Sequence, residues 1–507
     1  MYTFMIKYKK ALIGATAISF LSFGFMLTRF TVLIDDETWI LSSNSSPLWL
    51  LQGRFAIWLF NLLFTKGGNF APFLWDVLAI AFWNLSGILF AWALLDSENP
   101  KAWNVFFFCA YYASLPFVVG EIMAFSMFNL QVSLAMVATA GAFAISKQLY
   151  EYKSFKNWVI AFALLLYGVA TYQAMLCVYV TVVVADCLIQ YLNHRAKSLR
   201  EIMVCALICI VAVIVYVIID AGIRALLGTS SYLSDNYNGW NDGNSMLAIA
   251  LAIANVGRVS FAIPFLDEYI YGGEVIRLLS ILFVACAIYL FFREKGGKRK
   301  IGVLFYTVAL CFAPFVLYLM LATYKTHGRM MLALALSGSV QLYILFVTVQ
   351  RAAVKKALFV LAAYLLFLNA RNMNTIYYYS SIVYDRDCAV ADLLMYDIRK
   401  AGMNYREKPV VFIGMVEQDP LPIQTSGTLG GSFFSWDDGN NARIRNFMLS
   451  RGYVLSAPTT DQLAVGLAST ENMTTWPQEG SISELEDEIV VYLSEPTEKW
   501  YAVNGVR

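Results

Sequence analysis

Apolar residues run through this chain in long stretches parted by short polar ones, and the lengths of those stretches predict its elements. Ala11 to Leu33 is long enough to cross a bilayer as one helix, and Phe70 to Leu95 is a second span closed by the polar turn Asp96-Ser97-Glu98-Asn99-Pro100-Lys101. Between them, Gln52 to Phe64 is too short to cross and is interrupted by Arg54 and Asn61, which predicts an interfacial helix. Val105 to Ile145 exceeds one crossing, and Pro116, Gly120 and Glu121 break its middle, so it reads as a hairpin with Glu121 outside. Trp158 to Leu192 is a second hairpin, turning near Thr171-Tyr172-Gln173. Ile202 to Ile219, Val275 to Phe292, Ile301 to Leu321, Met330 to Val349 and Ala357 to Asn369 bring the total to about eleven crossings, with Met246 to Phe265 a re-entrant or surface-lying helix.

After Arg371 the pattern turns polar. Ala389 to Ala401 and Arg443 to Gly452 have helical spacing, while Lys408 to Gly414 and Glu488 to Leu493 read as strands. The fold class that follows is an α-helical polytopic membrane protein over residues 1–370 with a small C-terminal α/β domain over residues 371–507.

Charge sets the orientation. Lys147, Lys153 and Lys156 precede the second hairpin and Arg195, Lys197 and Arg200 follow it, which puts both flanks in the cytoplasm. The basic loop Arg293-Glu294-Lys295-Gly296-Gly297-Lys298-Arg299-Lys300 is cytoplasmic by the same rule. The expected result is a multi-pass plasma-membrane protein, its N-terminus cytoplasmic on a retained first span and its C-terminal domain extracytoplasmic. Composition agrees: of 507 residues 59% are hydrophobic and 14% charged, too few charges for an ordinary soluble domain, and mean hydropathy is +0.60. A net charge of +2 gives no support to a nucleic-acid partner. Seven of the eight cysteines lie in apolar runs without metal-ligand spacing, and no disulfide framework is implied.

The candidate chemistry sits at the edges of the spans. Asp35-Asp36-Glu37 follows the first apolar run directly; three adjacent carboxylates repel one another near a low-dielectric boundary, so at least one should have a shifted proton affinity. Such a group suits general-base removal of a proton from an acceptor hydroxyl or ligation of a divalent cation, although Asp36 also suits a plain helix cap. Arg54, in Gly53-Arg54-Phe55, is equally a phosphate ligand or a headgroup anchor. Tyr324-Lys325-Thr326-His327-Gly328-Arg329 gathers three potential cations, Lys325, His327 and Arg329, in one outer loop, where they would hold a lipid phosphate or simply attract headgroups. Tyr172 and Gln173 could bind a sugar or satisfy their own turn, Glu121 could likewise bind a sugar or act as a second carboxylate, and Tyr232, Tyr237 and Trp240 could stack on sugar faces.

An acidic pair at the outer end of the first span, an interfacial helix and about eleven crossings resemble the GT-C glycosyltransferases. More narrowly, Asp35-Asp36-Glu37, Gly53-Arg54-Phe55, Tyr172-Gln173, Gly328-Arg329-Met330 and Lys408-Pro409-Val410-Val411-Phe412-Ile413-Gly414 resemble the bacterial GtrII-type glucosyltransferase family, with Phe55 where that family is expected to carry Trp. The resemblance implies transfer of a hexose, glucose by preference, from a polyprenyl-phosphate-linked donor to a surface glycan acceptor at the outer membrane face. The reading of the residues fits that chemistry, with Asp35 or Asp36 expected as base, Arg54, Lys325 and Arg329 at the phosphate, a divalent cation as the one candidate cofactor, and membrane lipids as surroundings. The alternative is a transporter or flippase of lipid-linked sugars, which needs charges in mid-membrane; Arg29, Asp76 and Asp186 instead lie near span ends.

Overall fold

The computed structural model describes residues 1–40, 47–65, 70–149, 154–195, 199–230, 232–241, 245–263, 270–323, 327–422 and 428–506. They are mostly helical and divide into two compact units: Met1–Thr28 with Asn44–Thr375, and Arg29–Ser43 with Ile376–Arg507. The acidic triplet, which its sequence position joins to the first span, thus falls in the same unit as the C-terminal residues.

Among the described residues, eight helices are long and apolar enough to cross a membrane, or nine when a bent pair is counted as one span. Phe155–Thr171 and Ala333–Thr348, both expected as crossings, have 17 and 16 residues. The first helix starts and ends earlier than its apolar run, at Tyr2–Thr28. The bent pair is Ala102–Ser114 and Pro116–Ala124, at 46°. Its cause is local: the ring of Pro116 forces Leu115 into extended backbone, φ −69° and ψ 110°, and the chain restarts as a π-helical turn, Pro116–Gly120. The hairpin therefore turns at residues 125–128, and Glu121 is buried in the short helix Glu121–Ala124 before that turn. The second hairpin turns at Tyr172–Ala174, between Phe155–Thr171 and Met175–Leu192.

Helices of the first unit pack through small residues set against aromatic ones. Gly87 in helix Pro72–Leu95 leaves room for the ring of Tyr112, which stacks on Trp83 at 5.5 Å and shares a hydrogen bond with Ser86 Oγ at 2.6 Å. Gly338 does the same for Tyr111. Lipid gives no hydrophobic drive for helices to associate, so such close fits and buried polar contacts have to hold them. Asn84 Nδ2 donates to Ser19 Oγ at 2.8 Å, Asn369 Nδ2 to Ser114 Oγ at 3.2 Å, and Lys147 pairs with the fully buried Asp186 at 3.0 Å.

The expected short span Ala357–Asn369 and the separate helix Ala389–Ala401 are corrected to one helix, Ala352–Lys400, of 49 residues. The sequence turns polar there but contains neither Gly nor Pro to end the helix, and Thr375 is the last of its residues to group with the first unit.

In the second unit, strands β1 (Val410–Ile413), β2 (Ile482–Glu484) and β3 (Ile489–Tyr492) form a sheet in the order β1-β3-β2, with β1 and β3 parallel and β2 and β3 antiparallel. Both faces are covered, which explains why β1 and β3 are apolar throughout. Val410, Phe412, Ile489 and Val491 face a core with Leu394, Ile398, Ile444 and Phe447, while Val411, Ile413, Val490 and Tyr492 face Leu463 and Trp500. Val32 and Ile34 join the first of these cores.

A Cβ at Gly87 would meet Tyr112 Cδ1 at 2.6 Å, and that ring is held on two sides. Gly87→Ala should therefore destabilise the protein by about 1–3 kcal/mol, read as a lowered melting temperature in detergent. Gly24→Ala, in a helix with open space around it, should leave the temperature unchanged or raise it.

Candidate functional site

Within the first unit, several of the separated motifs converge. Gly53 has φ +70°, and a Cβ there would meet Tyr216 Oη at 2.5 Å, Asp220 Oδ1 at 3.0 Å and Gln173 Nε2 at 3.1 Å, so only glycine fits before Arg54. Gln173 Nε2 donates to the Gln52 carbonyl at 2.8 Å and to Tyr216 Oη at 3.0 Å, and Tyr216 Oη donates to the Gly53 carbonyl at 3.1 Å. The amide of Gln173 is thereby used on the loop that carries Arg54. Phe55 stacks on Tyr216 at 5.8 Å.

The Arg54 guanidinium lies over the Tyr172 ring at 4.9 Å and the Trp49 ring at 5.8 Å. Among the described residues, no carboxylate pairs with it and its Nε has no hydrogen-bond partner. Arg54, Tyr172 and Gln173 line a small cavity with Tyr237, Tyr318 and Met330; its volume is about 30 Å³, the scale of a single water molecule. Tyr318 Oη donates to the Met330 carbonyl. The turn Gly328–Met330 thus reaches the Arg54 pocket through its last residue.

Arg329, one residue earlier, has different company. Its Nη1 donates to Glu121 Oε1 at 2.6 Å, and its guanidinium lies 5.3 Å from the centre of the Phe125 ring. Gly328 is packed against the Phe117 carbonyl, leaving no room for a side chain. His327 is exposed, and Lys325 lies outside the described residues with Tyr324 and Thr326. Trp240 donates its Nε1–H to the Met320 carbonyl at 2.8 Å, and the side chain of Tyr232 is outside the described set.

The acidic triplet is built into the second unit. Asp36 N donates to the Leu33 carbonyl at 3.0 Å and Trp39 N to the Asp36 carbonyl at 3.0 Å, closing a turn into the short helix Glu37–Ile40. Asp35 sits in that turn at φ +86°, a backbone region unusual for any residue but glycine. All of this is arranged around Arg443, in the first turn of helix Asn441–Ser450, where Asn440 caps the amides of Ala442 and Arg443. Arg443 Nη1 donates to Glu37 Oε1 at 2.6 Å, and Nη2 donates to Asp35 Oδ1 and Asp437 Oδ2, each at 3.2 Å. Lys499 adds a second cation, 3.4 Å from Asp438 and 3.9 Å from Asp437.

The three carboxylates are not equivalent. The side chain of Asp35 is 43% exposed, Glu37 is buried, and Asp36 is fully buried. Burial pushes the Glu37 carboxyl up to about 7, with Arg443 pulling it down and the neighbouring charge of Asp35 adding to the rise. Among the described residues, no three His, Cys, Asp or Glu side chains are arranged to hold a metal ion. Sequence reading had no means of finding Arg443, Trp49, Tyr216, Asp220 or Tyr318 as parts of these clusters, because nothing in their local sequence marks them.

Glu37 binds its proton more tightly in the folded chain than in the unfolded one, where the ordinary value is 4.5, so the native state carries the extra proton between about 4.5 and 7. Stability should therefore fall as pH rises through that window, and melting curves of Glu37→Gln should lack that part of the slope. Arg443→Met removes the cation shared by Asp35, Glu37 and Asp437 and should lower the denaturation midpoint, by more above about pH 7, where Glu37 is ionised, than below it.

A family model described as glucosyl transferase GtrII matches residues 24–335, a range that contains the acidic triplet, Arg54, Glu121, Tyr172, Gln173 and Arg329. No curated protein and no solved structure matches the chain. With well over half its length covered by that match, the chain belongs to the glucosyl transferase GtrII family of glycosyltransferases.

Proposed function

We propose that this glycosyltransferase moves a hexose, glucose by preference, from a polyprenyl-phosphate-linked donor to a surface glycan, working in the plasma membrane on its extracytoplasmic side. The family match over residues 24–335 carries the reading. The reaction is a single displacement with inversion. A carboxylate takes the proton of an acceptor hydroxyl, the freed oxygen bonds to the anomeric carbon, and the bond from that carbon to the donor phosphate breaks with its electron pair leaving on the polyprenyl phosphate.

Asp35 is the proposed base. It alone of the three carboxylates keeps a substantially exposed side chain, and its left-handed backbone is the kind of strain that collects at functional positions. Asp36 and Glu37 hold the turn. Arg54 is the proposed phosphate ligand, since its charge is met only by aromatic faces among the described residues and would be neutralised by an arriving anion. Tyr172 and Gln173 fix Arg54 in place, and Arg329, paired with Glu121 and one residue from the Arg54 pocket, is the second proposed phosphate ligand. The residues up to 370 form the proposed membrane domain, GT-C-like with about eleven crossings, and residues 371–507 an extracytoplasmic domain.

The test is transfer in vesicles: purified protein, radiolabelled glucosyl-phosphoryl-polyprenol and a cell-envelope acceptor. Label should move to the glycan, Asp35→Asn should lower kcat by about 10²–10⁴-fold with an unchanged melting temperature, and Arg54→Met should mainly raise the KM for donor. Passage of intact donor across the bilayer without transfer would overturn the reading in favour of a carrier. For orientation, a cysteine placed at Lys298 should react with an impermeant maleimide only from the cytoplasmic side, and one placed at Glu479 only from the opposite side.

A further inference from the structure

Asp76 lies near the start of helix Pro72–Leu95, an apolar segment where an ionisable group is costly, and it is 3% exposed. Its Oδ1 accepts from Ser126 Oγ at 2.9 Å and from Asn129 Nδ2 at 2.6 Å. The same Asn129 amide donates to the Met123 carbonyl at 3.0 Å. Met123 belongs to the helix before the turn at residues 125–128, and Asn129 begins the helix after it. One carboxylate therefore ties both ends of that turn to a neighbouring helix.

What the turn carries is the environment of Arg329. Glu121, its ion-pair partner, is one helical turn upstream of Phe125, and the Phe125 ring lies beneath its guanidinium. The turn also extends toward the other arginine. Phe125 stacks on Phe128 at 5.1 Å, Phe128 meets the edge of Trp49 at 5.8 Å, and Trp49 lies under Arg54. Shifting the turn displaces Phe125 directly and Trp49 through one intervening ring.

We propose that Asp76 is a positioning residue for binding of the polyprenyl phosphate, acting through the turn at residues 125–128 on Arg329. This rests on the reading of the site as one that takes a lipid phosphate. A carboxylate with only a structural duty in the helix bundle would affect melting temperature; one that aims Arg329 affects affinity for phosphate.

Equilibrium binding of radiolabelled farnesyl phosphate to the full chain in nanodiscs separates the two. Asp76→Ala should raise Kd about tenfold, with donor KM rising in parallel and kcat changing less than about twofold. Asp76→Asn, which keeps an acceptor oxygen in the same place, should recover most of the affinity. In an Arg329→Met background, Asp76→Ala should add little further loss, because the two changes act along one path. Unchanged Kd in Asp76→Ala, or a loss that adds in full to that of Arg329→Met, overturns the proposal. Should Asp76→Ala fail to fold, Ser126→Ala removes one of the two donors to the carboxylate and should raise Kd to a smaller degree; wild-type affinity there overturns it equally. A wild-type chain that binds farnesyl phosphate but transfers no hexose would count against the proposed reaction and leave the role of Asp76 standing, whereas one that binds no farnesyl phosphate removes both.

Discussion

A guanidinium with no ion pair among the described residues has to be stabilised by other means, and for Arg54 those means are the faces of Tyr172 and Trp49. Each such contact contributes about 0.5–2 kcal/mol, depending on how far it is shielded from water. That leaves the charge in place without cancelling it. The loop that holds Arg54 has correspondingly little freedom: Gly53 is hemmed in by Tyr216, Asp220 and Gln173, and the Gln173 amide spans the Gln52 carbonyl and the Tyr216 hydroxyl.

Three arginines illustrate how surroundings divide their duties. Arg54 meets aromatic rings, Arg329 meets one carboxylate and one ring, and Arg443 meets three carboxylates. An arginine already neutralised must give up a partner before it can take a phosphate, so the three differ in readiness to bind an anion even though their side chains are chemically identical. Arg443 instead organises the acidic turn, and the gradient of burial there, from Asp35 through Glu37 to Asp36, gives adjacent carboxylates different chemistry.

Precision at such a site depends on a scaffold that does not yield. Helices of the first unit meet where glycine faces tyrosine, and polar contacts inside the bundle add to the fit, as where Asp186 pairs with Lys147. Close packing of this kind transmits a local change rather than absorbing it, which is how a carboxylate such as Asp76 can matter to a cation it does not touch.

The sequence by itself determined what depends on neighbouring residues. Run lengths located the membrane-length helices, Thr171-Tyr172-Gln173 marked a turn, the apolar runs at Val410 and Ile489 marked the central strands, and short motifs pointed to the family that the match over residues 24–335 supports. The polar shift after Arg371 suggests an end to the span, yet the helix continues to Lys400, because a change in composition alters what surrounds a helix without interrupting its backbone hydrogen bonds, and no Gly or Pro falls in this stretch. Only the tertiary structure decided the partners. Arg443 stands 408 positions from Asp35, and Arg329 stands 208 from Glu121. Ion pairs and cation–π contacts form between groups brought together by folding, and no local pattern encodes which distant residue will arrive.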